Sequence, residues 1–316
     1  MASTVPKPTV ALCMFAALIA SVSACDKGKA TQNGSNPTTT AGSTDKNASS
    51  SAGAKSSANM KTAADAENPE TPRLRDGLTA RLEQTNRLIV VQTSSWEAPA
   101  GQLTLYGRKD HGWEPLLGPV PANVGENGQG WGRGWTLPPE QPQTPAKVEG
   151  DGKATAGIFD VGKVHGYADT PPEGVSFPYG KVTEHSYCVY DVESEHYNQV
   201  FDWPADKPKA WKKAETMRRG DDLYSLLLTI RHNGMNGEET AIEPGAGSCI
   251  FLHVWRGNDQ PTVGCTSIAK AKLVDVLTEI ESPEKTLFVQ FPAPVYYELA
   301  GNLDLPDARM SASMKE

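Results

Sequence analysis

A chain of 316 residues with a net charge of −8 and 38 % hydrophobic residues has the composition of a soluble globular protein, long enough to bury a sizeable core. The absence of a basic cluster argues against a nucleic-acid partner, because phosphate binding depends on concentrated Lys and Arg. There is no internal repeat to suggest a solenoid or an array.

In chain order, the first element is an apolar and small-residue run over 10–24, preceded by one cation, Lys7. At roughly 1.5 Å per residue it is too short to span a bilayer, and it reads as a signal peptide over 1–24. The run closes on Val22-Ser23-Ala24-Cys25, which looks like a lipobox and makes Cys25 the expected lipidation site. An ordinary cleavable signal with an incidental cysteine is the alternative. Asp26 resembles the signal that keeps enterobacterial lipoproteins in the inner membrane. Residues 25–71 are Ser, Thr, Ala, Gly, Asn and Lys with little apolar bulk, so they cannot offset their ordering entropy and read as a disordered tether or spacer. The expected protein is exported and lipid-anchored to a bacterial membrane through Cys25, facing the periplasm or cell wall, with one folded domain over 72–316.

Within that domain, residues 87–93, 103–108 and 187–190 are short, β-branched or aromatic, and bounded by turn residues, so they are expected strands. Residues 222–232 mix leucines with a strand-like end, 249–255 form a core strand, and 286–291 form another. Ile268, Leu273, Val276, Leu277 and Ile280 keep helical spacing, so a helix follows Cys265. Gly/Pro-rich stretches over 125–134 and 149–157 read as long connectors. The expected fold is mainly β with a few short helices.

Of the 5 cysteines, Cys13 leaves with the signal and Cys25 takes the lipid, leaving Cys188, Cys249 and Cys265. An odd count in an oxidising compartment leaves at least one thiol free or paired with another molecule. Cys188 and Cys249 lie in apolar, strand-like runs, as buried hydrophobes or as a disulfide. Cys265 ends Pro261-Thr262-Val263-Gly264-Cys265, where a glycine allows close backbone approach. A thiol at a loop-to-helix junction gains from the helix dipole and from unpaired amides, so a low-pKa free thiol is expected at Cys265. The Gly264 and Cys265 amides are the expected oxyanion hole. His253, twelve residues upstream on an apolar strand, is the nearest base in sequence. Two other readings stand beside this one: a satisfied core histidine, and a zinc site from Cys249 and His253 completed by Cys265 or His232.

The segment Gly247-Ser248-Cys249-Ile250-Phe251-Leu252-His253-Val254-Trp255-Arg256, followed by Pro261-Thr262-Val263-Gly264-Cys265, resembles the active-site signature of the L,D-transpeptidase catalytic domain, the YkuD-like family, in a branch with Thr-x-Gly-Cys where many members have Ser-His-Gly-Cys. The likeness extends through Glu149-Gly150-Asp151-Gly152, Gly157-Ile158-Phe159, Tyr197-Asn198, Trp211, Ala214-Glu215, Met217, Asp222-Leu223-Tyr224 and His232-Asn233.

The resemblance implies a β-sandwich-like domain with short helices that needs no cofactor or metal. It implies Cys265 as nucleophile and His253 as general base. The donor would be a peptidoglycan stem tetrapeptide, attacked at the L-centre carbonyl of its third residue with loss of D-alanine; the thioester then passes to an amine. Hydrolysis on the same scaffold, as a carboxypeptidase or a peptidoglycan-lipoprotein amidase, and a non-catalytic wall-binding lipoprotein are the alternatives. Three places depart from the family pattern. Val263 stands where a histidine is frequent, so a backbone carbonyl, or Asp222, is expected to orient His253. Thr266-Ser267 replaces residues that often include an arginine, and Arg256 is the expected replacement cation for a substrate carboxylate. Ala154-Thr155 replaces a Ser-Pro. His232, Asn233, Tyr224 and Thr262 are the further expected substrate-binding residues.

Overall fold

Two β-branched and aromatic runs of seven residues, Arg87–Thr93 and Thr286–Pro292, carry almost no polar alternation, which marks strands covered on both faces. In the computed structural model they lie side by side, parallel, at the centre of a mainly β fold. The structure describes residues 71–140, 142–236 and 241–309. The expected signal peptide, the lipidation site Cys25 and the tether except for Thr71 lie outside the described residues.

The strands in chain order are β1 (Arg73–Leu74), β2 (Arg87–Thr93), β3 (Ala100–Lys109), β4 (Gly112–Asn123), β5 (Gln129–Trp131), β6 (Thr136–Leu137), β7 (Ala154–Gly166), β8 (Tyr179–Lys181), β9 (Ser186–Val189), β10 (Val200–Asp202), β11 (Ala214–Thr216), β12 (Leu226–Ile230), β13 (Phe251–Val254), β14 (Thr266–Ile268) and β15 (Thr286–Pro292). Three α-helices, α1 (Leu78–Glu83), α2 (Lys270–Glu279) and α3 (Ala293–Asn302), accompany them. Hydrogen bonding runs β12-β13-β14-β4-β3-β2-β15-β7, and β7 pairs back onto β12, so the path closes on itself. The closure depends on the length of β7: Gly157–Asp160 pair with β15, and Val161–Gly166 pair with β12.

Side-chain alternation sorts the core into layers. Ile89, Val91, Phe159, Phe288, Leu252 and Val254 share one buried cluster with Leu273, Val276 and Leu277 of α2. Leu88, Val90, Ile158, Leu287 and Val289 point the other way, onto Val295, Tyr296 and Leu299 of α3. A third cluster covers the outer face of β12 and β13. There Leu227 and Phe251 meet Cys188, Met217, Tyr224, Cys249 and Cys265. The covering element is a three-stranded flap, β10-β9-β11, joined to the segment before β13 by a disulfide between Cys188 and Cys249. The same alternation that sends Leu252 and Val254 inward sends Phe251 and His253 out beneath the flap.

Candidate active site

Parallel pairing of β13 with β14 places His253 opposite Ser267 and carries Cys265 to the end of β14, just before Thr266. Cys265 is the free cysteine among the described residues and is 8 % exposed. It stands where two clefts meet. A cleft of about 730 Å³ is walled by Lys147, Glu149, Ser248, Ile250, Gly264 and Cys265 among others. A smaller one of about 90 Å³ is walled by Arg219, His253, Arg256, Thr262, Cys265 and Ser267 among others. Glu215, Tyr224 and Val263 border both, and Val263 is 80 % exposed above the thiol.

The thiol is not the low-pKa group expected from the sequence. A helix does follow Cys265, but β14 intervenes and α2 begins only at Lys270, so no helix N-terminus faces the sulfur. Burial pushes the thiol up to about 12, and the carboxylate of Glu215 adds to the rise; a Phe251 backbone hydrogen bond, Lys147 and Arg219 act in the opposite direction. The thiol donates to the Cys249 carbonyl at 3.4 Å. The expected base is also neutral at rest, because burial lowers His253 to about 4. Its Nδ1 lies 2.8 Å from the Val254 carbonyl. A carbonyl only accepts, so Nδ1 carries the proton and Nε2 is left as an acceptor. That carbonyl, rather than Asp222, orients the ring, and Tyr224 packs against it in a T-shaped contact at 5.3 Å between centroids.

Thr262 builds the turn that presents the cysteine. Its hydroxyl donates to the Cys265 carbonyl at 2.6 Å and accepts from the Gly264 amide at 3.1 Å. The Gly264 N–H is therefore committed inside the turn, which corrects its assignment to an oxyanion hole; the Cys265 amide remains the candidate donor. Tyr224 lines both clefts, with its hydroxyl donating to Glu215 Oε2 at 2.8 Å. Arg256 borders the smaller cleft with an exposed side chain.

His232 and Asn233, expected in the substrate cleft, are fully buried away from it. His232 donates from Nε2 to the Ala246 carbonyl at 2.8 Å, while Nδ1 accepts from the Arg133 amide at 3.2 Å and lies 3.1 Å from Thr155 Oγ1. Asn233 donates to the Glu243 and Gly247 carbonyls and accepts from the Glu243 amide. Both shape the 243–248 loop that leads into Ser248 and Cys249. The disulfide removes Cys249 from the alternative zinc set, and both ring nitrogens of His232 are occupied. Among the described residues no group of three or more His, Cys, Asp or Glu side chains could hold a metal ion.

Among the cleft residues to which the sequence assigns no role are Lys147, Glu215, Arg219 and Ser267. Glu215 joins the Tyr224 hydroxyl to Arg219, which also pairs with Asp221. The Ser267 hydroxyl is buried, borders the smaller cleft and has no hydrogen-bond partner.

Burial holds His232 at about 3 and His253 at about 4, below the ordinary 6.5 at which the unfolded chain takes up protons. Their contribution is fully present above pH 6.5 and is lost as the pH falls towards 4 and 3. Stability is expected to fall through that window by on the order of a few kcal/mol, read as a steady drop in melting temperature. A flat profile between these limits would mean that the two rings are accessible to protons in the folded state.

Compared with models of known protein families, with curated proteins and with solved structures, the chain matches none.

Proposed function

We propose that this protein is a cell-wall acyl transferase of the L,D-transpeptidase kind, on a β-sandwich-like catalytic domain, exported and held at a bacterial membrane through lipidated Cys25. The observation that carries the reading is the placement of Cys265, the free thiol among the described residues, at the junction of two clefts, with the orienting contacts of His253 leaving Nε2 to accept a proton. In this account the larger cleft takes the acyl donor, a stem tetrapeptide, and the smaller takes the leaving and entering amines.

Both groups are neutral at rest, so proton transfer from the Cys265 thiol to His253 accompanies attack on the L-centre carbonyl. The C–S bond forms and the carbonyl oxygen takes the negative charge, received by the Cys265 amide. Collapse breaks the C–N bond, His253 returns the proton to the departing D-alanine amine, and a thioester remains on Cys265. An incoming amine then loses its proton to His253, its nitrogen forms the new C–N bond as the C–S bond breaks, and His253 returns the proton to the departing sulfur, restoring the neutral pair. The guanidinium of Arg256, at the rim of the smaller cleft, suits the carboxylate of the leaving or entering residue. Hydrolysis is the second reading, and the smallness of that cleft, about 90 Å³, favours it, since water or a small amino acid fits there more easily than a second stem.

The test is to give the protein a tetrapeptide-bearing fragment across a tenfold range of free D-amino acid or second stem and to read the products by mass. Exchange or cross-linked products rising with acceptor support transfer. Tripeptide formed at one constant rate, with no exchanged or cross-linked species, makes the protein a peptidase. No processing of the fragment would sink both readings.

A further inference from the structure

Lys147 is a buried cation in the wall of the larger cleft, its side chain only 4 % exposed. The lysine stem passes two glycines of positive φ. A Cβ at Gly247 would lie 2.9 Å from Lys147 Cε, and a Cβ at Gly264 would lie 3.4 Å from Nζ. The ammonium thus sits beside the backbone of the residue preceding Cys265. Of its three N–H donors, one goes to Asp151 Oδ1 at 2.9 Å and another to the Lys153 carbonyl at 2.6 Å. Asp151 in turn accepts from the Val148 and Lys153 amides, which spread its charge over the loop. Removing an ion pair from water carries a desolvation penalty that can exceed its Coulombic gain, so such a pair is a poor means of stabilising a loop.

We propose that Lys147 is a positioning residue whose field supports negative charge at Cys265, first on the sulfur and then on the oxyanion. This rests on the reading of Cys265 as the nucleophile. The charged and titratable groups nearest the thiol come from several elements: Glu215 from β11, Arg219 and Tyr224 from the segment after it, His253 from β13, and Lys147 from the loop before β7. Glu126, Glu149, Lys213 and Arg256 also line the two clefts. Glu215 opposes a thiolate. Of the two cations that act on the thiol, Arg219 is matched by two carboxylates, Glu215 and Asp221, whereas Lys147 has one, already shared with backbone amides. With the Gly264 amide bound to Thr262, Lys147 supplies positive potential on that side of the sulfur.

The experiment is alkylation of the whole folded protein by iodoacetamide, followed at Cys265 by mass mapping between about pH 7 and 9.5, below the thiol midpoint, where the rate follows the thiolate fraction. Removing the ammonium with Lys147→Met is expected to slow labelling about threefold to tenfold at each pH, the lower figure reflecting the greater nucleophilicity of a more basic thiolate. Asp151→Asn, which keeps an acceptor oxygen but removes the compensating negative charge, is expected to speed it by a similar factor. A purely structural role would move both variants in the same direction, and that result overturns the proposal. Unchanged rates in both also overturn it while leaving Cys265 a reactive thiol. If Lys147→Met does not fold, the direction of the Asp151→Asn change decides alone. Failure to label Cys265 in the wild type at any pH would overturn the nucleophile reading, and this inference with it.

Discussion

His253→Ala is expected to lower the rate of acyl transfer by about 10²- to 10⁴-fold, the usual worth of a positioned general base, with little change in KM. The size follows from the resting state of the pair. With the thiol near 12 and the imidazole near 4, almost no thiolate–imidazolium exists before substrate arrives. An enzyme with a preformed thiolate tolerates loss of its base for the attack step; here attack itself needs somewhere for the proton to go. The Val254 carbonyl fixes Nδ1 as the protonated nitrogen and the T-shaped contact with Tyr224 holds the ring plane, so substitution removes an oriented acceptor. Arg256→Ala is expected to behave differently, raising KM for donors with a free carboxylate. Steady-state kinetics on both variants checks the division, and an equal rise in KM with no fall in kcat for His253→Ala would contradict it.

Breaking the Cys188–Cys249 disulfide is expected to cost about 4 kcal/mol. The two cysteines are 61 residues apart in sequence, and closing a loop of that length removes roughly that much chain entropy from the unfolded state. The bond also joins β9 of the flap to the residue whose carbonyl accepts the thiol's hydrogen bond, so its loss frees the cover of the active site. Urea unfolding of Cys188→Ala/Cys249→Ala against the parent, without reductant, measures it. A denaturation midpoint unmoved by the double substitution would mean that the flap is held by packing alone.

The central strands were legible because burial on both faces leaves a continuous apolar signal, as in Leu88-Ile89-Val90-Val91 and Leu287-Phe288-Val289. Strand β4 was not, because Pro115, Pro119 and Pro121 interrupt its pattern. Strand β7 was missed because residues 149–157, glycine-rich at their start, read as a connector, while the ring closure depends on pairing β7 with β12, about sixty residues on, which no local period reports. The odd cysteine count left at least one thiol free or paired with another molecule, and the glycine before it singled out Cys265; in the described residues Cys265 is the free cysteine. The chemistry around it was less visible. The helix that was to activate the thiol begins five residues too late, and sequence offers no measure of burial. His232 and Asn233 matched a motif for reasons of loop support, since a buried carbonyl-rich turn asks for the same polar residues as a substrate cleft. Lys147 and Asp151, four apart across a glycine-containing turn, carried a signal that could have marked a buried pair.

The most direct measurement of the central claim is the intact mass of the protein quenched in acid during turnover of a tetrapeptide-bearing fragment. The account predicts a species heavier by the donor minus D-alanine, lost on treatment with hydroxylamine and mapped to the peptide containing Cys265. It also predicts that Cys265→Ala, which removes the nucleophile and leaves His253 and both clefts in place, forms neither adduct nor product. Product formation at the parent rate by Cys265→Ala, or an adduct mapped to any other residue, would contradict it.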